Sequence, residues 1–366
     1  MRILLLGEYS NVHATLARGF KSLGHEVLVV SNGDFWKDYE RDVSLVRSPG
    51  KWGGLCYSAK LLSLLPKLRG FDVVQLINPM FLELKAERIS HVFHYLRRNN
   101  NRMFLGAFGM DYYWIHVCDQ FKHLRYSDFN IGKELRHEPD AEKERKDWIG
   151  TDKEKLNRMI AEECDGIIAG LYEYWTCYEK VFPQKTTFIP FPVELPSEAA
   201  PRRFTPGTKT KVFIGINKSR SAYKGTDIML KAAEDIEKQY PDRFALTKAE
   251  NVPFSTYQHL LNENDAILDQ LYSYTPSMNS LLAMSKGIID IGGGEPENYS
   301  ILNETELRPI INVEPNYASV YKELEQMVLH QERIPLLKAQ SIEYVKRHHD
   351  HLRVAKRYLD FYTRSL

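Results

Sequence analysis

Short β-branched or leucine-rich runs recur along this chain, each separated from the next by a longer amphipathic segment. That alternation restricts the fold more than any other feature, because strands buried on both faces need covering helices and crossover connections. In the first half the runs are Arg2–Leu6, Glu26–Val30, Asp72–Ile77, Met103–Phe108, Gly166–Ala169 and Thr187–Pro190. In the second they are Lys211–Ile216, Phe244–Thr247, Ala266–Asp269, Ile288–Ile291 and Pro309–Val313. Between the two blocks lies IPFPVELPSEAAPRRFTPG, with five prolines and no periodicity, which reads as a linker. The pattern predicts an α/β protein of two Rossmann-like, doubly wound domains, residues 1–192 and 209–342, joined over 193–208. Residues 343–366 carry one long amphipathic helix pattern. Two such domains facing each other would place the ligand in the cleft, at the carboxyl ends of the strands.

A length of 366 residues is ample for two cores, and the 43% hydrophobic and 27% charged content is that of an ordinary globular protein. The net charge of +1 gives no global field that would draw nucleic acid or an anionic membrane, which leaves local basic patches open. Four scattered cysteines, with no CxxC pair, fit a reducing compartment better than a disulfide framework. The first apolar run is too short for a signal-peptide core, and no stretch approaches the ~20 apolar residues that span a bilayer. The expected location is the cytoplasm. Between Gln120 and Asn157 the sequence turns charged and turn-rich, which reads as a surface excursion with short helices. Such an excursion is either a solvated insertion or a lid or partner surface.

Four segments hold residues suited to chemistry. The first turn, LLLGEYSNVHATLARGF, lacks GxGxxG, so a dinucleotide fingerprint is absent. Ser10, Asn11 and His13 lie there at the carboxyl end of the first strand, either contacting substrate or merely capping and filling the helix start. In IGINKSRSAYKGTDIMLKA a strand gives way to a helix near Thr226, a plausible N-cap. The loop between them carries Asn217, Lys218, Arg220, Lys224 and Gly225. A diphosphate would meet three cations there, and Gly225 would let the backbone approach it. The alternative is an ordinary solvated basic loop.

In TPSMNSLLAMSKGIIDIGGGEPENY, Ser277 precedes a helix whose first N–H groups, around Met278, Asn279 and Ser280, form an anion site, or else a cap without a ligand. The fourth segment, FLGAFGMDYYWIHVCDQ, puts Asp111 and the aromatics Tyr112, Tyr113 and Trp114 after a strand. They make either a wall for a sugar acceptor or an aspartate capping a turn over buried rings. No DxD pair or convincing metal-ligand spacing occurs, and no GxSxG elbow.

Taken in order, these segments resemble the GT-B glycosyltransferases, specifically the large retaining family 4, the "glycosyl transferases group 1" type. The likeness runs over nearly the whole chain. It covers GEYSNVHATLARGFKSLGHEVLVVS, CDGIIAGLYEYW and IPFPV, then Lys224–Gly225, LLAMSKGIIDIGGGEPE and the closing VAKRYLDFY. The resemblance implies a nucleotide-sugar donor in the C-terminal half and an acceptor in the N-terminal half. It implies diphosphate contacts at Lys224 and at Lys218 or Arg220, and a last helix that crosses back to the first domain. Glu297 matches a position often acidic in that family. Tyr274 and Leu282 stand where the family has two glutamates eight residues apart.

The implied reaction moves a sugar from a nucleotide-diphosphate sugar to a glycan or lipid-linked glycan hydroxyl, with retention. No cofactor or metal is required, because fixed cations and helix amides can stabilise the departing diphosphate. Lys224, Arg220 and Asp111 are the catalytic candidates, with Asp111 and His13 orienting sugar or acceptor. Two other readings compete: a degenerate, non-catalytic GT-B subunit that binds a glycan or a partner protein, and a GT-B nucleotide-sugar epimerase. Polysaccharide assembly, with peripheral contact at the inner membrane face, is the context the family suggests. The sequence does not fix the oligomeric state.

Overall fold

A computed structural model of the chain describes residues 1–121, 123–196, 203–217, 221–250 and 252–364. Among these, two parallel sheets account for every run read from the sequence. The first sheet contains β1 (Arg2–Leu6), β2 (Glu26–Ser31), β3 (Val43–Ser44), β4 (Val73–Leu76) and β5 (Arg102–Ala107). A short hairpin, β6 (Asn130–Ile131) and β7 (Glu134–Leu135), stands apart from it, and β8 (Gly166–Ala169) and β9 (Thr186–Phe188) complete it. The second sheet is β10 (Thr210–Ile216), β11 (Phe244–Glu250), β12 (Ala266–Leu268), β13 (Ile289–Gly292) and β14 (Ile311–Asn312).

The first sheet runs β3-β2-β1-β4-β5-β8-β9 and the second β11-β10-β12-β13-β14. Both orders reverse direction once, between β1 and β4 and between β10 and β12. That reversal opens a crevice at the carboxyl ends of the strands, where ligands of doubly wound sheets bind. The central strands are buried on both faces: Ile3, Leu4 and Leu5 have no exposure, nor do Val212, Phe213 and Ile214. This is why they read as continuous apolar runs and not as alternating ones. The two-residue strand β3 and the hairpin carry no such run, and the sequence reading misses them.

The chain divides into two compact units. One holds Met1–Val117, Glu144–Pro192 and His351–Leu366; the other holds Cys118–Lys143 and Val193–Asp350. Within the first, the helix Val12–Ser22 packs against the last helix, His351–Arg364. A Cβ on Gly19 would lie 2.8 Å from the His351 carbonyl oxygen and 2.9 Å from the Ala355 Cβ. Glycine there lets two helix backbones approach closely. Tyr358 and Tyr362 then reach Phe20, with ring centroids 6.3 and 6.1 Å apart.

Two expectations are corrected. The closing amphipathic pattern is not one helix: Ile334–His348 ends before His351–Arg364 begins. The N–H of Val193 donates to the His349 carbonyl at 2.7 Å, taking an oxygen that a continuous helix would use itself. The charged excursion, in turn, is partly core. Leu124, Phe129, Asn130 and Arg136 are all buried. Arg136 is accommodated because its guanidinium lies 3.6 Å from the Tyr272 ring centroid. It also donates to the carbonyls of Ser127 (3.2 Å), Ala222 (2.9 Å) and Tyr223 (3.2 Å).

Candidate functional site

In the first unit, polar groups collect where the strand order reverses. β1 ends at Leu6, and Gly7 follows with φ 84°. A side chain there would sit 2.3 Å from Ile77 Cγ2, so only glycine allows this approach to the end of β4. Ser10 (φ 52°) and Asn11 (φ 69°) continue in the left-handed region, which costs a non-glycine residue about 1–2 kcal/mol. Such a turn is found mostly where function or tight packing requires it.

It brings Glu8 beneath the first helix, where its carboxylate accepts from the N–H groups of His13 (3.2 Å) and Ala14 (2.8 Å). The cap is therefore Glu8, not Ser10 or Asn11, and the Asn11 side chain makes no capping bond. Ser10 instead donates its N–H to Asp34 at 2.9 Å, and Asp34 pairs with Lys37 at 2.6 Å.

His13 has no exposure, and its Nδ1 lies 2.8 Å from the Gly7 carbonyl oxygen. A carbonyl only accepts, so Nδ1 carries the proton and Nε2 presents a lone pair. That Nε2 is buried with no partner among the described residues. Burial lowers the imidazole to about 3, against which the Gly7 hydrogen bond acts only partly, so His13 is neutral at pH 7.

Burial does the opposite to Glu8, raising it to about 8 despite the N–H groups of Ala14 and His13, with the Asp34 charge adding to the rise. Below about pH 4.5 this carboxyl is neutral whether the chain is folded or not. Between there and about pH 8 the folded state alone keeps the proton, so stability falls as pH rises. Glu8→Gln is expected to melt higher than the parent at pH 8 and without that advantage at pH 4.5. Parallel melting curves across that range would contradict the assignment. Because the comparison is of parent with variant, the like-signed contribution of Asp111 and the opposite one of His13 cancel.

Asp111 follows β5 and is wholly buried. One oxygen accepts from the Trp114 N–H at 2.9 Å and the other from the Tyr178 hydroxyl at 2.8 Å. Burial raises it to about 7 against both bonds. The rings of Tyr112, Tyr113 and Trp114 are likewise buried, so the aromatic wall expected for an acceptor is core packing. Its period-free aromatic cluster looked the same in sequence under either reading.

In the second unit the reversal lies between β10 and β12. Asn217 is exposed just past β10, while Lys218 and Arg220 lie outside the described residues. A helical turn, Ser221–Lys224, leads to Gly225 at φ 73°, which occupies the N-cap position expected of Thr226. The Thr226 hydroxyl bonds that of Ser221 at 2.9 Å. Lys224 is half-buried, and among the described residues no carboxylate pairs with its ammonium. Its carbonyl accepts from Leu271 at 3.1 Å, while Arg136 holds the two preceding carbonyls.

A Cβ on Gly225 would stand 2.6 Å from Leu271 Cβ in a backbone conformation that already disfavours it. Gly225→Ala is expected to cost about 1–2 kcal/mol for the backbone alone, with overpacking added. An unchanged urea midpoint would refute this.

The helix Met278–Ser285 begins after β12 without a side-chain cap from Ser277. Ser277 turns back to Asp269 instead, as do Asn279 (3.3 Å) and Ser280 (3.0 Å). Ser280 also bonds Asp290 at 2.7 Å. Burial, together with the neighbouring Asp269 charge, raises Asp290 to about 8. The Ser280 hydroxyl thus lies between the two carboxyl groups, within hydrogen-bond reach of both Asp269 and Asp290. This pair beside the helix start is invisible to a reading that looks only at the helix.

Glu297 is engaged as well. Arg125 pairs with Glu297 at 2.5 Å and Glu295 at 2.7 Å, and its guanidinium lies 5.0 Å from the Tyr274 ring centroid. Burial pushes Glu297 up, but the Arg125 bond and charge outweigh it and hold the carboxyl below its ordinary range. Tyr274 is 1% exposed, and its hydroxyl accepts from the Arg125 N–H at 2.6 Å. Among the described residues, no group of three or more His, Cys, Asp or Glu is placed to hold a metal ion.

No protein-family model matches the sequence, and no curated protein does. Solved structures do match. HepE from Anabaena, in complex with UDP and glucose, aligns over 100% of both chains at 11% identity and a TM-score of 0.61. Sucrose-phosphate synthase from Thermosynechococcus elongatus covers 100% of this chain and 98% of its own, at 12% identity and 0.61. A protein given as a UDP-N-acetylglucosamine 2-epimerase from Listeria monocytogenes covers 98% and 94%, at 9% identity and 0.56. Two doubly wound parallel sheets, aligned with these structures along the whole chain, give this protein the GT-B fold.

Proposed function

We propose that this protein transfers a sugar from a nucleotide-diphosphate sugar to a hydroxyl of a glycan or lipid-linked glycan, with retention and without a metal. The observation that carries this reading is the end-to-end structural match to HepE, which was solved with UDP and glucose. Lys224 and the first-turn N–H groups of Met278–Ser280 stand at the carboxyl ends of the second sheet, where a diphosphate is favoured by cation and helix dipole together. Lys218, Arg220 and Asn217 adjoin that loop in sequence, and Gly225 fixes its turn.

In the first unit the acceptor sits over the turn after β1, which the buried His13 supports from below. Ser10 and Asn11 line the same turn, and Asp111 positions the helix behind it. Glu297, held by Arg125, orients the donor sugar. As the anomeric carbon–oxygen bond breaks, charge grows on the diphosphate oxygen facing Lys224. The acceptor oxygen then bonds the anomeric carbon on the same face, and its proton passes to the leaving phosphate.

The test is nucleotide release from a panel of UDP-, GDP-, ADP- and TDP-sugars, with and without a glycan acceptor, in the presence of a chelator. Release that requires both one donor and an acceptor is expected, with the product anomer matching the donor's. Conversion of a donor sugar without any acceptor would instead identify an epimerase.

A second reading, a non-catalytic GT-B subunit, is favoured by one feature. Tyr274, standing at an acidic position of the resembled family, is roofed by Arg125, which also occupies Glu295 and Glu297. Weak or absent donor binding, no turnover on any donor and a tight protein partner would support it.

A further inference from the structure

The helix Gly50–Leu64 of the first unit breaks the rule for surface helices. Its inner side, Gly53, Tyr57, Leu61 and Leu64, is buried as expected. Its outer side is apolar too. Trp52, Leu55, Ala59 and Leu62 recur at spacings of three and four residues, which places them in one stripe along the opposite face. Trp52 is 80% exposed, Leu55 60% and Leu62 66%. A helix apolar on both sides is ordinarily covered on both, by a core or by a membrane.

The charge around the stripe is one-sided. Residues 43–71 contain Arg47, Lys51, Lys60, Lys67 and Arg69 and not one Asp or Glu, in a chain whose net charge is only +1. All five are exposed. Glu83 reaches this region, accepting from the Arg47 backbone N–H at 2.9 Å. Among the described residues, no carboxylate pairs with Lys51, Lys60, Lys67 or Arg69. A second copy of this chain laid on the stripe would add five more cations and no acid, so like charges would meet. Exposed apolar side chains rimmed by unopposed cations fit an anionic lipid surface, into which the stripe enters while the lysines meet headgroups. No helix among the described residues is long and apolar enough to cross a membrane.

We propose that the outer face of the helix Gly50–Leu64 docks this protein on anionic membranes. Trp52, Leu55 and Leu62 insert at the interface, and Lys51 and Lys60, with the flanking Arg47, Lys67 and Arg69, supply electrostatic attraction. This contact is independent of the sugar-transfer reading and stands or falls separately from it.

Cys56 provides the probe, since it is exposed while Cys118, Cys164 and Cys177 are buried. The full chain is labelled at Cys56 with a polarity-sensitive fluorophore. It is then mixed with vesicles of phosphatidylcholine alone, or of equal parts phosphatidylcholine and phosphatidylglycerol. A blue shift and co-sedimentation with the mixed vesicles only, weakened by added salt, is the expected result. Leu55→Ser with Leu62→Ser is expected to abolish the shift.

Lys51→Glu with Lys60→Glu, an exposed pair whose change leaves the core untouched, is expected to weaken binding on the order of tenfold or more. Equal binding to neutral vesicles, or no binding to either, overturns the proposal. So does binding that both variants retain. A blue shift without lipid that disappears on dilution would overturn it in favour of a self-association face.

Discussion

If the proposed sugar transfer is this protein's reaction, Lys224→Ala is expected to lower its kcat/KM by about 10²–10³-fold, the loss seen when one preorganised charge at a developing oxyanion is removed. The effect should be large because the backbone that carries the lysine is fixed. Its turn is fixed by Gly225 in the left-handed region, by the bond from Leu271 to its carbonyl, and by Arg136 on the carbonyls of Ala222 and Tyr223. Under the proposed function, a cation carried on a fixed turn would need little backbone reorganisation as charge developed on a diphosphate bound there. Lys224→Arg should restore only part of the rate, since a planar fork does not reproduce a compact ammonium. The side chain is half-exposed and unpaired with any described carboxylate, so the thermal midpoint should hardly move. A Lys224→Ala variant with unchanged kcat/KM would place the diphosphate elsewhere.

Phe104→Ala should destabilise the protein by about 3–5 kcal/mol, the range for removing a buried aromatic ring and leaving a cavity. Phe104 lies in β5 with no exposure, and its ring centroid is 4.6 Å from that of Tyr362 and 5.5 Å from that of Phe361. It therefore holds the last helix to the sheet. The hydroxyl of Tyr362 reaches the Gln75 side chain at 3.1 Å, and Arg102 donates to the Tyr362 carbonyl at 2.7 Å. Removing the ring should also speed amide exchange in His351–Arg364 ahead of β1 and β4. A loss below about 1 kcal/mol in urea titration, or exchange protection unchanged in that helix, would contradict this packing.

How much of this was legible in the sequence depends on the range over which each feature is determined. The sheet strands that are apolar on both faces announce themselves locally, because burial on both sides demands an uninterrupted run. β3 is two residues long and half-buried, so no local pattern marks it. Arg136 reads as a solvated charge in HLRYSDFNIGKELRHEPD, and it is buried because Tyr272, far along the chain, offers a ring face. Asp269 follows the end of β12 while Asp290 lies inside β13 opposite Ile267, and only the β12–β13 pairing brings the two near each other. Glu8 outcompetes Ser10 and Asn11 as a cap because two left-handed residues swing it under the helix. That conformation is unusual enough that residue preference argues against it. For Arg136 and for the Asp269–Asp290 pair the missing information is a tertiary partner, and propensity alone cannot supply one.

The most direct test of the central claim is calorimetric titration of the full chain with UDP, GDP, ADP and TDP. The GT-B fold and the basic turn at Lys224 lead us to expect saturable binding of one nucleoside diphosphate, lost in Lys224→Ala and unaffected by a chelator. Absence of heat with all four at millimolar concentration would contradict a working donor site in this protein.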